Sequence, residues 1–328
     1  MRKLFLALST LLTSALVAAD PDPVVVEARG KLQTLVDPVA SQTKTEAARR
    51  KDDLRPDDRA LCWTRDKNDG GAIPFRFFLH AYPVICDTHG VFVHDANAGF
   101  ARGFEPSPDF AFHGWRNGIL VIEHKDGTLF SALSGVAFAG KRKGTQLKPI
   151  PTITSEWGWW ARRYPETVAY HMFERYVATK APVELSGAGL KSLGKADPRM
   201  QADARILGLR VGKETKAYRI ADLRKAVILA DKLGDQPCVL LYDATTKSAA
   251  AYSPVATPPR IGPKATIVTL IGTKEGNFYD KETGSRWDIA GRAVTGPLRG
   301  WTLGWLDGVE VKWYAWSAEF PRTRVYAK

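Results

Sequence analysis

At 328 residues, 45% hydrophobic and 25% charged, the chain has ordinary globular composition, which excludes a wholly disordered polymer and leaves apolar material for a sizeable core. That length suits two domains or one large one. The formal net charge of +12 would draw nucleic acid, anionic lipid or an acidic polymer, and is equally compatible with a merely basic, soluble surface.

Met1 to Ala19 reads as a secretory signal peptide. Arg2 and Lys3 form a short positive region, and Leu4 to Val17 is apolar but short for a bilayer span. Val17-Ala18-Ala19 offers small residues to a signal peptidase, so the mature chain is expected to begin at Asp20. Loss of Arg2 and Lys3 lowers the charge from +12 to +10. The expected location is periplasmic or secreted, with no transmembrane segment after cleavage. Export argues against nucleic acid as a partner and leaves an anionic envelope polymer or a protein.

Residues 20–60 form a charged lead-in, partly helical or disordered. One helix is expected over part of 26–54, stopped by Arg55-Pro56-Asp57-Asp58. A first lobe over 61–178 follows. Phe75 to Leu79, Pro83 to Cys86 and Gly90 to His94 read as strands. Asn117-Gly118 is a turn, and Ile119 to Leu133 is a hairpin around Lys125-Asp126-Gly127. Gly135, Gly140 and Gly144 suit tight bends. A short helix then opens near Trp157, with Ser155 as its expected cap. Trp157, Trp160, Ala161 and Tyr164 make one apolar face, a core face by spacing, although a sugar-stacking platform is the rival reading. Residues 179–204, with Pro182, Gly187, Gly189, Gly194 and Pro198, read as a linker. The second lobe, 205–328, opens with strands at Ile206 to Val211 and Lys216 to Ile220, then a short helix over Ala221 to Ala230. Pro237 to Tyr242 and Ser248 to Tyr252 are expected to pair.

An internal repeat ties the lobes together. Residues 135–170 return at 291–326 with a constant offset of 156 and ten identities in 36 positions. Three glycines, Trp157 and Trp160, and Pro165-x-Thr167 reappear as Gly291, Gly296, Gly300, Trp313, Trp316 and Pro321-x-Thr323. The expected fold is a β-rich α+β protein of two sequence-related lobes, each with hairpins, a glycine-rich bend and a short Trp-bearing helix.

The C-terminal block, from Thr283-Gly-Ser-Arg-Trp287 through Gly296-Pro-Leu-x-Gly300 and Trp313-x-x-Trp316 to Phe320-Pro-x-Thr-x-Val-Tyr326, resembles the signature of a bacterial family called domain of unknown function 3179. Ile206 to Tyr252 is similar to it too, and the first lobe matches more loosely. The resemblance implies the fold and little chemistry. It also implies a Tyr-Cys-Pro-x-Cys motif at a strand end, where this chain has Ile85-Cys86-Asp87-Thr88-His89. One sulfur of that pair is missing, which speaks against thiol–disulfide exchange and leaves metal ligation open. The corresponding place in the second lobe, Tyr242-Asp243-Ala-Thr-Thr246, has neither Cys nor His, so a site is expected in the first lobe.

All six histidines lie between His80 and His171. Cys86, His89 and His94 have loose ligand spacing, and thiolate with imidazole suits zinc or copper. A bend near Gly90 would bring 89 and 94 together, and His113 or His124 would complete the set. Scattered surface histidines, or a Cys62–Cys86 disulfide, are the rival readings, while Cys238 reads as a buried small hydrophobe. Gly-x-Ser-x-Gly, His-Glu-x-x-His and a phosphate-cradling loop are all absent. Three functions therefore stand. They are a periplasmic metal-binding or redox-accessory protein, a non-catalytic envelope protein binding through a basic surface, and an enzyme whose residues the sequence does not name.

Overall fold

The computed structural model describes residues 25–29, 32, 34–37, 40–42, 55–64, 70–79, 82–170, 193–195, 197–259, 263–273 and 277–327. Residues 1–24, where the signal segment is expected, residues 179–192, His80 and His171 lie outside them. Strands dominate, and the helices among the described residues are short: α1 (Phe75–Leu79), α2 (Trp157–Arg163), α3 (Ile220–Ala226) and α4 (Trp313–Glu319). The chain is β-rich α+β, as its alternating short apolar runs predict.

Two sheets share one strand plan. In the first, Thr152–Glu156, Arg59–Thr64 and Gly70–Pro74 pair antiparallel, and Val168–Tyr170 joins parallel to Gly70–Pro74. In the second, Asp307–Lys312, Arg205–Val211 and Glu214–Arg219 pair antiparallel, and Arg324–Val325 joins parallel to Glu214–Arg219. In each the first strand runs directly into a Trp-bearing helix, α2 or α4.

The two glycine-rich bends are built alike. Gly140 and Gly296 stand at φ +88° and +89°, and a Cβ at either would lie 2.7 Å from the Cα of Thr128 or of Ser285, so only glycine fits. Gly144 N donates to Ala137 O and Gly300 N to Ala293 O, both at 2.8 Å.

Both Trp helices bury the faces that their spacing predicts. Trp160, Trp313 and Trp316 are at most 2% exposed, which makes them core and leaves no ring face free for stacking. The cores cross the two halves of the sequence. Trp313 and Trp316 pack with Phe100, Phe104 and Ile122, while Trp157 and Trp160 pack with Val239, Tyr252 and Trp287.

Several local expectations are corrected. Phe75 to Leu79 is helix α1, because a five-residue apolar run carries no period that separates helix from strand. Helix α3 ends at Ala226, where Val227 takes φ +62°, and Ile228–Leu233 continues as strand. Ser155 is a strand residue. The N-cap of α2 is Glu156, with no side-chain cap bond. In the lead-in, the described residues form strands Val25–Glu27, Thr34–Val36 and Ala40–Gln42, while residues 43–54 of the stretch expected to be partly helical or disordered lie outside the described residues. Each adds to an existing sheet edge, and that pairing outweighs local helical preference.

Candidate functional site

The histidine and cysteine set expected to bind metal is placed by a tight hairpin. Val84–Cys86 pairs antiparallel with Val91–Asp95. Asp87 closes the turn, its Oδ1 accepting the amides of His89 at 2.8 Å and Gly90 at 3.0 Å. Side chains alternate across such a sheet. Cys86 falls on one face with Val84, Val91 and Val93, and its Sγ donates to Phe110 O at 3.6 Å. Burial pushes this thiol up to about 12. His94 falls on the other face, its ring 4.6 Å from Phe75 and 5.4 Å from Phe78. Burial there lowers it to about 4. His89 lies 6.1 Å, ring to ring, from Trp63, which belongs to the same aromatic core as Phe78. The sheet thus stands between Cys86 and the side on which both imidazoles find their ring partners.

His113 and His124 are engaged elsewhere. His113 Nδ1 lies 3.0 Å from Glu123 Oε2 and 3.1 Å from Arg29 Nε. His124 Nδ1 is 3.0 Å from Asp126 Oδ1, and its ring meets Phe110 edge-on at 5.2 Å. Among the described residues, no three His, Cys, Asp or Glu side chains are arranged to hold a metal ion. Nor does a Cys62–Cys86 disulfide form. Cys62, Cys86 and Cys238 are all free and buried, with Cys62 in the Trp160 core and Cys86 in the Trp316 core.

A different place gathers unpaired polar groups. A cleft of about 330 Å³ opens between helix α2, the turn after Gln236–Asp243 and the strand Arg286–Trp287. Helix α2 contributes Trp159 and Arg163, which are i and i+4 and share a face. Trp159 is half-buried, unlike its neighbour Trp160. Arg163 Nε donates to Asp288 Oδ2 at 2.7 Å, and the amide of Arg292 donates to Asp288 Oδ1 at 3.0 Å. Burial still carries the Asp288 carboxyl above its ordinary range, with Arg163 pulling the other way. Trp287 and Phe278 form the buried floor, and Trp287 Nε1 is fixed by Asp280 Oδ2 at 2.9 Å.

The remaining cleft groups keep bonding capacity. Asp243 Oδ1 accepts the amides of Thr245 at 2.8 Å and Thr246 at 3.4 Å, in the same turn that Asp87 makes in the first half. Its Oδ2 receives no donor among the described residues. Arg286 is exposed and makes no ion pair among the described residues. Asn277 and Thr245 place an amide and a hydroxyl on the same cleft.

Sequence reasoning misses this cleft for a definite reason. It weighs Tyr242-Asp243-Ala-Thr-Thr246 for Cys and His and finds neither, while the site draws on Asp, Thr and Arg. The legible signal was Trp159 with Arg163, an i, i+4 pair off the Trp157–Trp160 face.

No helix among the described residues is long and apolar enough to cross a membrane. Searches of curated proteins and of solved structures return no match. The family model described as protein of unknown function, DUF3179, matches residues 80–323, which hold the Asp87 hairpin, both Trp helices and every residue of the cleft, and the chain belongs to that family.

Proposed function

We propose that the protein is an exported, non-catalytic cell-envelope binding protein of two related lobes, and that it holds a small polar ligand in the cleft beside Trp159. The observation that carries this is a pair of charged groups in the cleft that keep bonding capacity among the described residues, Asp243 Oδ2 and Arg286, next to a half-buried indole. Groups of this kind bind without first having to break a competing ion pair. Export rests on Arg2, Lys3, the apolar run Leu4 to Val17 and Val17-Ala18-Ala19, and intact-mass analysis of secreted protein retaining Met1 would overturn it. The related lobes rest on the 156-residue offset, the two sheets of like strand order and the two like bends. The zinc or copper reading and the redox reading lose support because the thiols are buried and Cys86 is parted from His94.

Thermal melts of the mature chain against a panel of small polar solutes, with zinc and copper salts included, test the reading. At hundredfold excess over Kd a ligand adds about 2.7 kcal/mol, which shows as a shift of several degrees in Tm. At least one solute is expected to raise Tm, with the effect lost in Arg286→Ala. A panel without hits, or hits indifferent to Arg286→Ala, sinks the proposal. A rise with zinc that is lost in Cys86→Ser would restore the metal reading instead.

A further inference from the structure

We infer that the ligand of this cleft is a saccharide, bound as a neutral ring with vicinal hydroxyls that lies against Trp159. The inference rests on the binding reading just given and specifies its chemistry.

Charge comes first. Among the described residues, the ionisable groups lining the cleft are Arg163, Arg286, Asp243 and Asp288. Arg163 and Asp288 already neutralise each other at 2.7 Å. What remains among the described lining residues is one guanidinium and one half-used carboxylate, equal and opposite in charge. An anion would gain Arg286 but meet Asp243, and a cation would meet the reverse, so neither charge type is favoured.

An apolar ligand is disfavoured for another reason. It would strip water from Asp243 Oδ2 and from the Asn277 amide without replacing the lost bonds, at a cost in binding. The ligand must therefore both donate and accept. A hydroxyl does both, and two hydroxyls on adjacent carbons match the paired edges of a guanidinium or carboxylamide. Asp243 offers an acceptor, Arg286 only donors, and Asn277 and Thr245 one of each.

Trp159 decides between a sugar and other neutral polar molecules. Its indole is half-buried while Trp160 beside it is fully in the core, so the helix spends an aromatic side chain on the cleft wall. A flat ring wall rewards a ligand with an apolar face and a polar rim. A pyranose has C–H groups on its faces and hydroxyls around its edge. The cleft volume of about 330 Å³ is at the lower end for ligand sites, which suits one ring or the end of a longer glycan.

The test is calorimetric titration of the full mature chain with glucose, N-acetylglucosamine and their β-1,4-linked tetramers. Alanine, phenylalanine and inorganic phosphate form the control arm. At least one saccharide is expected to give saturable heat below about 10 mM. The affinity should fall about tenfold or more in Trp159→Ala and in Asp243→Asn. Arg286→Ala, at an exposed position, guards against a folding artefact and should weaken binding as well. No saccharide heat, or heat unchanged in all three variants, overturns the inference. Binding of phosphate or an amino acid instead, lost in Arg286→Ala, overturns the saccharide while leaving the cleft as a binding site. Absence of any cleft-dependent ligand in both the melts and the titration removes both.

Discussion

Trp160 is tied to Thr167 by a hydrogen bond from indole Nε1 to Oγ1 of 2.8 Å, across the end of helix α2. Trp316 makes the same bond to Thr323 at 2.9 Å after α4. The Trp-x-x-x-x-Pro-x-Thr spacing thus has a physical cause. The helix ends two residues before proline, and threonine returns to satisfy an indole N–H buried in apolar surroundings. Truncating either tryptophan to alanine is expected to cost about 3–5 kcal/mol. Thr167→Val, which keeps the shape and orphans the buried donor, should cost about 1–3 kcal/mol. Urea unfolding measures both, and a threonine variant of wild-type stability would show that the bond is unimportant.

Arg102 and Asp307 lie 205 positions apart and form an ion pair at 2.7 Å, with side chains 5% and 13% exposed. Arg102 also donates to Leu133 O, and Arg210 reaches the other oxygen of Asp307 at 3.4 Å. Breaking one partner strands a buried charge, so Asp307→Ala should cost about 3–5 kcal/mol. Replacing Arg102 and Asp307 together with apolar residues should cost less than the sum of the single changes. A double-mutant cycle in urea measures that coupling, and additive losses would show that the two charges do not stabilise each other.

Burial lowers His94 from an ordinary 6.5 to about 4. The sign follows from which state takes up protons. Between pH 6.5 and about 4 the unfolded chain protonates this imidazole and the native chain does not, so its contribution is lost as pH falls through that window. His94→Leu removes the loss. Relative to the wild type, the variant should gain about 2 kcal/mol on going from pH 7 to pH 5, read from urea midpoints at each pH. A constant difference between the two proteins would mean that His94 is solvated.

Asp95, next in sequence, runs the other way. Burial raises it from 3.8 to about 6, although the amides of Ala98 and Leu120 donate to its two oxygens. Its native state binds the proton first, so stability lost by ionising it above about pH 6 is recovered as pH falls toward 3.8. The wild-type acid profile between pH 6 and 4 should therefore be flatter than the His94 contribution alone would make it. A wild type that is as steep as a lone buried histidine demands would contradict this opposition.

Thiol labelling offers a fast check on the redox question. Burial raises Cys62 and Cys238 as well as Cys86, and a buried thiol presents little thiolate to a reagent. Native protein at pH 8 should take up no iodoacetamide at these three positions, and full labelling should follow unfolding in guanidinium. Rapid native labelling at Cys86, seen by peptide mass mapping, would reopen the first-half site.

The parts of this protein that rest on local rules were legible in its amino-acid sequence. Glycine at 140 and 296 was legible because positive φ and close backbone approach admit no other residue. The core faces of α2 and α4 were legible because tryptophans at i and i+3 must lie together on a helix. Membership of the DUF3179 family was legible in the same repeated block. Tertiary structure alone decided the rest. Phe75 to Leu79 became helix and Val25 to Glu27 strand because neighbours, not local propensity, settle short segments. Cys86 and His94 sit close in sequence but on opposite faces of one hairpin, since alternation in a strand separates residues that lie near each other along the chain. The cleft is the converse case. Trp159, Asp243 and Arg286 come from three distant segments. No local pattern encodes a convergence that exists only once the sheets have packed.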